Sequence, residues 1–118
     1  MNTKINLTYK GEDFVLEFDR MSVKLLENAG FILDEFLNKP MNNIELAFSG
    51  AFIKNHRNVP QTKIDDIFAH CKDKAGLVTT ISKMIQDTYD SLLEEPSDDD
   101  EGNVTWEVQD LTPKKDQK

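Results

Sequence analysis

His70 and Cys71 stand side by side, and with His56 they are the residues a metal ion or a nucleophilic mechanism would draw on first. The set is too small for a structural zinc site, which uses four Cys or His ligands at characteristic spacing. Cys71 is the only cysteine and His56 the only other histidine. Cys71 also falls on the apolar stripe Ile64, Ile67, Phe68, Cys71, so it reads as a buried core thiol. Asp65-Asp66 and Asp98-Asp99-Asp100 offer hard oxygen ligands. The first pair suits the positive end of a helix, and the second lacks the alternating ligands and the glycine of a calcium loop. No glycine-rich phosphate cradle and no Ser, His and acid constellation is present. The expectation is a protein that is not an enzyme and uses no metal or cofactor.

Charge narrows the class further. The net charge is −8, and residues 94 to 118 carry nine acids against three lysines, leaving residues 1 to 93 near neutrality. With two arginines, Arg20 and Arg57, and scattered lysines, no basic groove for nucleic acid is expected. No run approaches the ~20 apolar residues of a membrane span, and Met1 to Asn6 lacks the apolar core of a secretory signal. A cytoplasmic protein without nucleic-acid or membrane partners is expected.

The elements that must position any binding surface begin with two alternating runs. Ile5, Leu7 and Tyr9, then Phe14, Leu16 and Phe18, follow the period of a half-buried strand, and Lys10-Gly11 between them suits a tight hairpin turn. Asp19 is a candidate N-cap for a helix ending at Gly30, with Met21, Leu25, Leu26 and Ala29 as its apolar stripe and Phe31 folding back over its end. Leu33 to Leu37 suggests a helical turn with Leu33, Phe36 and Leu37 inward, interrupted at Lys39-Pro40. Asn42 and Glu45 have capping-box spacing ahead of Ile44, Ala47, Phe48, Ala51 and Phe52, with Gly50 either weakening this helix or admitting a close neighbour. Thr62 is read as the next cap, and Leu77 to Leu92 as the longest helix.

These elements predict an α+β fold: an N-terminal β-hairpin packed on about four α-helices across residues 1–93, followed by a flexible acidic C-terminal tail, 94–118. Ile5, Leu7, Phe14, Leu16, Phe18, Leu25, Phe48, Phe52, Phe68, Ile81 and Ile85 form the expected core. In the tail, Val104, Trp106 and Val108 alternate with polar residues. That segment is either a peptide anchor for a partner or a third strand on the hairpin. Phe48 and Phe52 join these three as candidate partner-binding residues, since their exposure would mark an interface in a homo-oligomer.

The Tyr9 to Phe18 hairpin, the Leu16-Glu17-Phe18-Asp19-Arg20 joint and the Val23 to Phe31 helix with Ala29-Gly30-Phe31 at its end resemble small proteins of tailed-phage and prophage tail modules. Those proteins are read as tail assembly chaperones or chaperone-like tail proteins. The resemblance continues through Lys39-Pro40, Phe48-Ser49-Gly50-Ala51-Phe52, and Glu101-Gly102-Asn103 ahead of Trp106. It implies a non-enzymatic adaptor in the host cell cytoplasm that binds the phage tape measure protein and helps recruit the tail tube protein. For Pro113-Lys114-Lys115 it allows a programmed frameshift, the other reading being an ordinary solubilising tail. A different class of reading is an acidic inhibitor that mimics nucleic-acid charge. A mimic would spread carboxylates over a folded face, whereas here they concentrate in the tail.

Overall fold

A computed structural model describes residues 3–96 and 102–109. Its elements run β1 (Ile5–Tyr9), β2 (Glu12–Leu16), α1 (Arg20–Asn28), α2 (Leu33–Asn38), α3 (Pro40–Gly50), α4 (Gln61–His70) and α5 (Lys74–Leu92). The fold is α+β, a two-stranded antiparallel hairpin followed by five helices. The hairpin register runs from Ile5 opposite Leu16 to Tyr9 opposite Glu12. Lys10 and Gly11 both take positive φ, 52° and 81°, as a two-residue turn matched to the strand twist requires.

Asp19 caps α1 as expected: its carboxylate accepts from the Ser22 amide at 2.8 Å, while the Ser22 hydroxyl accepts from the Asp19 amide at 2.8 Å. This reciprocal box seals the orphan donors and explains why Ser22 can be fully buried. At the other end Gly30 adopts φ 102°, its amide donates to the Glu27 carbonyl, and the Phe31 amide donates to the Leu26 carbonyl. That pattern reverses the chain and folds Phe31 into the core, where it is 2% exposed.

The face of α1 that docks keeps Leu26 of the expected stripe and not the rest of it. Ser22, Val23 and Leu26 are buried, whereas Met21 and Leu25 are 53% and 40% exposed and Ala29 is exposed. Docking against both α3 and α5 rotates the helix toward Val23 and Leu26, so Leu25 leaves the core. Leu37 is likewise exposed, because the six-residue α2 buries only Phe36.

Two helix starts also move. α3 opens at Pro40, with Lys39 as N-cap, so Lys39-Pro40 initiates the helix and Asn42 lies inside its first turn. Proline is tolerated there because the first-turn amides have no intrahelical acceptor. α4 opens at Gln61 after Pro60, making Thr62 an in-helix residue. The core gathers Phe14, Leu16, Leu26, Phe31 and Phe36 with Phe48, Phe52, Ile64, Ile81 and Ile85, and Ile5, Leu7, Phe18 and Phe68 pack half-buried against it. Gly50 admits Leu26: a β-carbon there would stand 2.6 Å from Leu26 Cδ2.

Candidate protein-binding surface

The turn that follows α3 decides what the hairpin can still bind. The Val15 amide donates to His56 Nε2 at 2.9 Å, Asn55 Nδ2 donates to the Val15 carbonyl at 3.1 Å, and the Glu17 amide donates to the Ala51 carbonyl at 3.1 Å. These bonds occupy backbone groups at Val15 in β2 and at Glu17 just beyond it that a strand added on the β2 edge would need. His56 therefore serves as an edge cap, its ring set edge-on against Phe14 at 5.1 Å. Sequence reasoning missed this role, because only the tertiary fold brings position 56 beside position 15.

Glu17 completes the same joint. Its carboxylate accepts from Asn55 Nδ2 at 2.8 Å and from Lys54 Nζ at 2.9 Å, and these bonds, the Asn55 one foremost, hold its pKa below the ordinary carboxylate range. A nearly buried carboxylate is thereby satisfied.

The other chemistry-bearing residues are structural neighbours. Tyr9 donates to Asp66, which lowers the Asp66 pKa and raises that of Tyr9, and His70 Nδ1 lies 2.8 Å from the Asp66 carbonyl. Cys71 is the half-buried C-cap of α4, and burial pushes its thiol pKa up, opposite to what an activated nucleophile needs. Asp65 accepts from Gln61 one helical turn earlier. Asp98, Asp99 and Asp100 lie outside the described residues, as do Pro113, Lys114 and Lys115. Among the described residues no group of three or more His, Cys, Asp or Glu side chains is placed to hold a metal ion. Arg20 Nη2 donates to the Ser91 carbonyl at 2.7 Å, tying the start of α1 to the end of α5.

The five candidate partner-binding residues divide sharply. Phe48 and Phe52 are 0% and 1% exposed, with ring centroids 5.3 Å apart, so they hold the core and present no surface to a partner. This corrects their assignment as binding residues, because α3, which carries Phe48, packs inward on α1, α4 and α5, and the turn after it folds Phe52 into the same core. Val104, Trp106 and Val108 are 83%, 81% and 80% exposed. Residues 103–109 form no regular secondary structure, and the described sheet has two strands, so the third-strand arrangement is not adopted.

Grooves on the body offer further apolar surface. One of about 370 Å³ lies between α1 and α5, lined by Val23, Tyr89 and Leu92 and rimmed by Arg20, Lys24 and Glu27. Tyr89 donates to Glu27 across it, and burial together with that bond raises the phenol pKa to about 12. A second, of about 210 Å³, runs between α1, α3 and the segment leading into α4.

Fold and surface together define a small α+β hairpin-and-helix domain that carries an exposed aromatic segment on its C-terminal side. No helix among the described residues is long and apolar enough to cross a membrane. The chain belongs to the DUF5055 family, a domain of unknown function whose match spans residues 1–109 and so runs through the acidic stretch and Trp106. Among curated proteins and solved structures nothing matches it.

Proposed function

We propose that this protein is a non-enzymatic tail assembly chaperone or adaptor that works in the host cell cytoplasm, binding the phage tape measure protein and helping to bring tail tube subunits to it. The observation that carries the reading is the exposure of Val104, Trp106 and Val108 beyond the acidic run that starts at Glu94. Water-exposed tryptophan flanked by β-branched residues gains most when a partner covers it. A long helical client exposes apolar and charged surface before assembly encloses it, and an adaptor with an apolar anchor and an acidic approach path suits such a client. The acids steer encounters with basic segments and add little to final affinity, since exposed charges are screened beyond about 8 Å at physiological salt.

Co-expression with the tape measure protein, followed by pull-down over a salt series, tests the proposal. Deleting residues 94–118 should slow association, with the effect shrinking as salt rises. Trp106→Ala should instead speed dissociation by an amount nearly independent of salt. Failure to recover any tail protein at low salt would refute the chaperone role.

A further inference from the structure

The groove of about 210 Å³ beside α1 has a specific chemistry. Leu25, Leu46, Ile53 and Val59 give it an apolar lining, Arg57 lies at it, and no carboxylate lines it. Among the described residues no carboxylate pairs with Arg57. Leu25 is 40% exposed at its edge, so the groove joins the outer apolar face of α1 that the fold leaves uncovered. Its complement is therefore an apolar segment that brings negative charge.

The chain carries such a segment in Val104–Val108. In an extended chain Val104, Trp106 and Val108 fall on one side, and Glu101, Glu107 and Asp110 travel with them in sequence. Within the single chain this segment stands about 80% exposed while the groove stays open to solvent, so both halves of the complementary pair are unsatisfied. We infer that two copies of the chain exchange tails, the Val104–Val108 segment of each lying in the groove of the other with Trp106 over Leu25 and a tail carboxylate near Arg57. A two-fold arrangement makes both contacts at once, so the second forms at the high effective concentration set by the first. This interaction does not depend on the assembly role, and its test needs no client.

Trp106 is the only tryptophan, which makes intrinsic fluorescence a direct reporter. In the purified full chain, emission should shift to the blue as concentration rises, in step with dimer formation in sedimentation equilibrium. Arg57→Glu should weaken the dimer at least about tenfold with far-UV circular dichroism unchanged. Trp106→Ala chains are silent under tryptophan-selective excitation but keep their grooves. Titrating them into Arg57→Glu chains should blue-shift the emission of the latter, because a defective groove leaves the tail free to dock in trans. Three results would overturn the inference: emission of fully exposed tryptophan at every concentration, a blue shift independent of concentration, which would mean docking on the same chain, or an Arg57→Glu dimer as tight as the original.

Discussion

Gly50→Ala sets two physical effects against each other, and the structure decides which prevails. Replacing glycine with alanine in a helix interior is worth up to about 1 kcal/mol. Gly50 is the last residue of α3, so less than the full gain is available. The new methyl would lie 2.6 Å from Leu26 Cδ2 and 2.7 Å from both Cδ1 and Cγ, where carbon atoms ordinarily sit about 3.5–4.0 Å apart. Leu26 is 2% exposed and cannot swing into solvent, so α1 and α3 must separate or the leucine must leave its rotamer. Overpacking of this kind costs about 1–3 kcal/mol, and the net expectation is destabilisation by about 1–2 kcal/mol. Urea unfolding should be followed by circular dichroism at the helical band, since Trp106 lies in the exposed tail. With a slope of about 2 kcal/mol per molar, the midpoint should fall by roughly 0.5–1 M. Leu26→Ala alone should cost about 2–5 kcal/mol, and in that background Gly50→Ala should be neutral or stabilising. An unchanged or raised midpoint for Gly50→Ala alone, or equal effects in both backgrounds, would refute the close-approach argument.

Other perturbations test the remaining joints. Phe52→Ala should destabilise by about 3–5 kcal/mol in the same urea assay, as a fully buried ring with aromatic neighbours is lost. Asp19→Ala removes the acceptor for the Ser22 amide and should cost about 1 kcal/mol, whereas Asp19→Asn should cost much less. The Glu17 carboxyl is held below its unfolded value, so its contribution is present above the ordinary carboxylate range and is lost as pH falls through the folded pKa. Glu17→Gln should therefore lower stability at neutral pH and flatten the acid limb of a stability–pH curve; an unchanged limb would rule out this linkage. Deleting residues 94–118 should leave the helical spectrum of the body intact, because its core comes from residues before Glu94.

Local chemistry made much of the architecture readable. Asp19 at the head of an apolar stripe, Lys10-Gly11 between alternating runs, and Gly30-Phe31 at a helix end each act within a few residues, so the chain by itself determined the hairpin, the α1 cap and the chain reversal. Strong apolar periodicity likewise identified Phe48, Phe52, Ile81 and Ile85 as core, whereas at Gly50 a weakened helix and a close approach read alike until the fold brought Leu26 against it. Tertiary packing decided the rest. Of the stripe Met21, Leu25, Leu26, Ala29 only Leu26 docked, and the simultaneous fit of α1 against α3 and α5 set Val23 beside it in place of the others. The same long-range geometry buried Phe48 and Phe52 out of a partner's reach. It also placed His56 and Asn55 against β2 forty residues away, using backbone groups that a strand added on the β2 edge would have needed. Periodicity states that a face is apolar; which face is covered, and by what, follows from how all the faces fit together at once.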